Sequence, residues 1–201
     1  MEYTKSQREL MRIAKDPVKG FQLNVVEVSE DFSGVTTALK YIRRIPWKDD
    51  SKANINLTVE AARQWDVVMA LVNLAGKKTY GYGYLDTIWR AMSQLAAHKR
   101  GVVLWLDDVR YMKPVDRECI VCMLEWVADQ LDMSVRIVMF VGKVRVWDFQ
   151  QQKRVPTFVH SARLNERAKK YEFSREGLDS IRKFIVDAEH VEEAHQHRAA
   201  V

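Results

Sequence analysis

The sequence predicts an α/β fold with a mainly parallel sheet flanked by helices. Strand-like apolar runs alternate along the chain with segments of helical periodicity, the order that builds parallel sheets. Two of the runs, VVLWLDD (102–108) and SVRIVMFVG (134–142), are apolar almost without a break, as strands covered on both faces are. Glycine, proline and polar clusters punctuate the intervals between elements.

Taken in order, residues 3–15 read as an amphipathic helix with Leu10, Met11 and Ile13 available for packing, closed by Asp16-Pro17 and Gly20. FQLNVVEV (21–28) is an apolar strand-like run, followed by the loop SEDFSGVTT (29–37) and a helix over TTALKYIRRI, which Pro46 and WKDDSK end. ANINLTVE (53–60) alternates as a strand does, and residues 61–75 carry Trp65, Val68, Met69, Leu71, Val72 and Leu74 at helical spacing before Gly76. KKTYGYGY (77–84) reads as a loop, and LDTIWRAMSQLAAHKR as a helix stopped by Gly101. A long helix runs from Pro114 to about Leu131. Residues 146–173 look irregular with a short strand-like end, and residues 174–198 helical, fraying into a polar tail. The expected organisation is an N-terminal helical extension (1–17), an α/β domain (18–173), and a C-terminal helix and tail (174–201).

A chain of 201 residues suits one domain with a sizeable core. Its 47% hydrophobic and 29% charged residues are ordinary for a soluble protein, and no run approaches the length of a membrane span. The polar N-terminus lacks a signal peptide's apolar stretch, so the expected location is the cytoplasm, with no membrane partner. The net charge of +5 is compatible with a polyanionic partner or with simple solubility. Cys119 and Cys122 form a lone C-x-x-C, half the ligands of a zinc site, inside the apolar stretch CIVCMLEWV; buried inert thiols are the expectation. His190, His195 and His197 in the tail lack paired ligands elsewhere and read as a solvated helix end.

SEDFSGVTT lies between a strand and a helix, where a phosphate-binding loop of the form G-x-x-x-x-G-K-[ST] would sit. Ser29 replaces the first glycine and Val35 the lysine. Ser33, Gly34 and the helix N-terminus still offer backbone N–H groups to phosphates, and Thr36 is in register to give magnesium a hydroxyl, with Thr37 beside it. Valine cannot set a positive charge against the outer phosphates, at a cost of about 1.5–3 kcal/mol in charge-assisted hydrogen bonding. Restoring it by Val35→Lys is expected to strengthen nucleotide binding by about that amount. An ordinary strand–turn–helix junction has the same outline.

VVLWLDD is an apolar strand ending in two carboxylates. That is the Walker B pattern, in which Asp107 holds magnesium and Asp108 orients the attacking water; a helix cap is the plainer reading of the pair. Aspartate at the second position is one methylene shorter than the usual glutamate, and catalytic positioning tolerates little error.

The order strand, degenerate loop, helix, strand, two helices, VVLWLDD, helix, SVRIVMFVGK and an arginine-bearing segment resembles an AAA+ P-loop domain over about residues 18–185. It is most similar to the DNA-transposition ATPase branch, that of phage Mu's B protein and the target-selecting regulators of related transposons. The resemblance implies a P-loop NTPase-like sheet with a short or missing helical lid. Ser29–Thr37 would be Walker A, and Asp107 and Asp108 Walker B. Gly142 and Lys143 stand where a polar sensor is expected. Arg163 or Arg167 is either the arginine that reaches a neighbouring subunit's nucleotide or a surface residue. ATP or ADP with Mg2+ would be the cofactor, bound weakly, with Thr36 and Asp107 on the metal.

Because the departures fall on the chemistry, the expected protein is non-hydrolysing or weakly active, working by self-assembly and by binding DNA or a partner such as a transposase. Two alternatives remain: an active ATP-dependent regulator of the same family, and a nucleotide-independent adaptor domain. KKTYGYGY is the expected DNA contact, with Lys77 and Lys78 on phosphates and Tyr80, Tyr82 and Tyr84 stacking or hydrogen-bonding; a tyrosine-rich turn packed on the next helix is the other reading. Lys153 and Arg154 would add to the positive field.

Overall fold

The computed structural model describes residues 5–28, 35–43, 54–76, 81–107, 109–161, 164, 166 and 168–173. Its elements are α1 (Lys5–Lys15), β1 (Phe21–Val28), α2 (Val35–Arg43), β2 (Ile55–Glu60), α3 (Gln64–Ala75), α4 (Gly83–Ala96), β3 (Val102–Asp107), a short 3-10 turn (Val109–Tyr111), α5 (Pro114–Gln130), β4 (Val135–Gly142), β5 (Val144–Asp148), β6 (Lys153–Thr157) and β7 (Lys169–Phe173).

Five strands form a parallel sheet in the order β2-β3-β4-β1-β7. Strand alternation divides their side chains between two apolar layers. Leu23, Val25, Leu104, Leu106, Ile137 and Met139 face α3, α4 and α5. Val26, Val103, Trp105, Val138 and Phe140 face α1 and α2, which contribute Leu10, Ile13, Ala14, Val35, Ala38, Leu39 and Ile42. Both faces of β3 and β4 are therefore covered, which is why these two strands are apolar apart from Asp107 and Arg136.

Helix α1 is packed into this core. Arg136 of β4, almost fully buried, donates to the Ile13 carbonyl and to Gln22 Oε1 at 2.8 Å. Asn54 Nδ2 donates to the Ala14 and Asp16 carbonyls, each at 3.0 Å. A side chain at Gly101 would meet Asn54 Oδ1 and Val18 at 2.8 Å, so glycine is required where β3 begins.

Two expectations are corrected. The stretch read as irregular contains an antiparallel hairpin, β5–β6, paired from Val144↔Thr157 to Asp148↔Lys153. Its β-branched alternation and a turn held by Asp148 Oδ1, which accepts the N–H groups of Gln150 (2.8 Å) and Gln151 (3.1 Å), supply the physical reason. Cys119 is exposed and Cys122 half-buried rather than both buried. The inward stripe of α5 is Arg117, Ile120, Val121, Leu124, Val127 and Ala128, and the two thiols fall outside it.

Candidate functional site

Ligands of parallel α/β sheets bind beyond the carboxyl ends of the strands, where successive connections diverge to opposite faces. Here β1 leads to α2 on one face and β3 leads to α5 on the other, with β4 between them. Val28 of β1 pairs with Gly142 of β4, so the three strand ends Val28, Gly142 and Asp107 close on one region of the sheet edge.

Asp107 is half-buried and follows Val103 and Trp105 at alternate positions, which places it on the α2 side. Trp105 is locked: its Nε1 donates to Asn56 Oδ1 at 2.9 Å and its ring stacks on Phe140 at 6.3 Å between centroids. The strand delivering Asp107 is thus held rigidly two residues before the carboxylate. Glu60 pairs with Asp107 across β2 and β3, putting a second carboxylate on the same face. Sequence reading missed Glu60, because only the strand pairing brings it there. Among the described residues, no group of three or more His, Cys, Asp or Glu is placed to hold a metal.

Val35 opens α2 but is 6% exposed and packs with Val26, Trp105 and Phe140 among others in the apolar layer. It is a core residue as well as the occupant of the lysine position. This revises the expected gain from Val35→Lys: the new ammonium would start inside an apolar cluster, and burying a charge without a partner is costly. The residues present fit a nucleotide phosphate poorly on this count.

Thr36 and Thr37 lie in the first turn of α2, their side chains outside the described residues. Ser29, Ser33, Gly34, Lys77, Lys78, Tyr80, Asp108, Arg163, Arg167 and the tail histidines also lie outside the described residues. Lys143 is exposed beside Gly142, with Nζ 5.3 Å from the centroid of the Phe158 ring.

The tyrosines of KKTYGYGY separate. Tyr82 is 97% exposed. Tyr84 belongs to α4, not to a loop, and its ring lies 5.7 Å from that of Trp65. The helix starts early because Gly83 takes φ of +88° and the residues after it cap the turn. Asp86 Oδ2 accepts the Tyr82 N–H at 2.7 Å, and Thr87 Oγ1 accepts the Gly81 N–H at 3.1 Å. Arg90, bonded to Asp86 Oδ1 at 3.1 Å, and the Tyr82 N–H hold the Asp86 carboxyl below its ordinary value.

A further cluster at this edge was not legible in the sequence. Glu27 Oε1 lies 2.9 Å from Nε2 of His160, whose side chain is 5% exposed. Arg117 of α5, 2% exposed, donates to the Met112 and Val159 carbonyls at 2.9 and 2.8 Å. Together they tie the segment after the hairpin to β1 and α5. Burial lowers the Arg117 pKa from its ordinary value.

Comparison with known proteins yields no family model and no curated sequence that matches this chain. Among the described residues, no helix is long and apolar enough to cross a membrane.

Proposed function

We propose that this chain is a degenerate AAA+-type P-loop domain of the DNA-transposition ATPase kind. It works by self-assembly and by binding DNA or a partner such as a transposase, with ATP turnover at background. The observation that carries the reading is the convergence of Asp107 and the α2 N-terminus on one face of the sheet edge, with Gly142 between β1 and β3. This is the placement a Walker A loop, a Walker B carboxylate and a sensor would need. The buried Val35 and the glycine at the sensor position remove charge and polarity where catalysis would use them.

A nucleotide-independent adaptor is the second reading, favoured by the packing of Val35 into the core. Titration of duplex DNA in the presence and absence of Mg2+ and ATP tests the proposal. Salt-sensitive binding that persists without nucleotide is the expected result. Failure to bind DNA under either condition would overturn the DNA reading and leave the adaptor.

A further inference from the structure

We infer that the β5–β6 hairpin is a grip for duplex DNA; this rests on the DNA-binding reading above and deepens it. The hairpin leaves the sheet one residue after Gly142, at the same edge as Asp107, and its strands pair with each other alone among the described residues. Two-stranded ribbons of this kind are marginal by themselves in water. This one also exposes what a self-sufficient ribbon would cover: Trp147 is 49% and Phe149 86% exposed.

The charge pattern selects the partner. Residues 143–157 contain four cations, Lys143, Arg145, Lys153 and Arg154, against one carboxylate, Asp148. That carboxylate is occupied by the N–H groups of Gln150 and Gln151. The side chains of Arg145, Lys153 and Arg154 make no ion pair among the described residues, and all three are exposed. Strand alternation and register place Arg145 and Trp147 on one face of the ribbon with Arg154, which pairs with Trp147. An exposed indole flanked by two guanidiniums, on a ribbon with a surplus of cations, is complementary to a polyanion that presents phosphates beside apolar rings.

Duplex DNA meets this description. Its major groove admits a two-stranded ribbon. Arginine and lysine on both strands of the hairpin reach the flanking phosphates. Phe149 sits at the tip, where its exposed ring can make apolar contact with thymine methyl groups in that groove.

The test is fluorescence anisotropy of a 30-base-pair duplex of arbitrary sequence with the full chain. Comparison is made with the double variant Arg145→Gln/Arg154→Gln, with Phe149→Ala, and with two competitors: a single strand of equal length and anionic lipid vesicles. Losing two phosphate contacts is expected to flatten the log–log salt slope by about 1.8 and to weaken binding on the order of 30-fold at 0.15 M salt. Phe149→Ala is expected to weaken binding with the slope unchanged. These positions are exposed, so far-UV circular dichroism and Tm should stay at wild-type values. Wild-type DNA binding with unaltered affinity and slope in the double variant would overturn the hairpin assignment alone. Preference for the single strand or for vesicles would overturn the choice of partner. Absence of duplex binding by the wild type would remove both this inference and the DNA reading beneath it.

Discussion

His160 Nε2 lies 2.9 Å from Oε1 of Glu27, a residue 133 positions earlier in the chain and next to last in β1. This contact, with Arg117 to the Val159 carbonyl, fixes the segment that leaves the hairpin against the strand entering the candidate site. Removing Glu27 strands the buried His160 ring and removing His160 leaves the half-buried Glu27 carboxylate without this partner, at a cost of about 1–3 kcal/mol. Glu27→Leu and His160→Leu are each expected to lower stability by that order, and the double variant by less than the sum. Urea melts of the four proteins measure this; strictly additive costs would show the pair to be uncoupled.

The turn before α4 should respond to acid. Asp86 has a depressed pKa in the folded chain, first because Arg90 bonds to its carboxylate and then because the Tyr82 N–H does. A depressed acid stabilises the fold above its unfolded value of about 3.9 and loses that contribution as pH falls through the lower folded value. The Tyr82 amide resonance is therefore expected to titrate with a midpoint below the ordinary aspartate value. A midpoint at or above the ordinary value would mean that the cap is not formed in solution.

The centre of the sheet was legible because β3 and β4, covered on both faces, are apolar apart from Asp107 and Arg136. VVLWLD and VRIVMFVG could hardly be anything else, and their order against the helices set the fold class. The hairpin was not legible, since VRVWD and KRVPT are short, charged and largely exposed, so the alternation of their β-branched residues spans too few positions to mark a strand. Arg117, Arg136 and His160 were invisible for a different reason. Their partners are backbone carbonyls or a carboxylate distant in sequence, and no local pattern marks a residue that bonds across the fold. The sequence marks Val35 by the charge it lacks, whereas its burial follows from an apolar cluster that it shares with residues distant in sequence, Trp105 and Phe140 among them.

Val35→Lys separates the two roles of that position. Burial among Val26, Trp105 and Phe140 predicts a loss of stability of at least about 1–2 kcal/mol, a fall in Tm of several degrees for a chain of this size. Differential scanning calorimetry checks it. An unchanged Tm, with tighter ATP binding, would mean that the side chain leaves the core and faces the loop, as in a working phosphate-binding site.

The most direct measurement is steady-state ATP turnover with Mg2+ and saturating duplex DNA, for the wild type and Asp107→Ala. The proposed degenerate site, with Val35 where a lysine and Gly142 where a sensor would be needed, is expected to show turnover at the buffer background in both proteins. Turnover of about 1 s⁻¹ or faster, within the ordinary enzyme range, and abolished by Asp107→Ala, would show instead an active ATPase built on the same sheet edge.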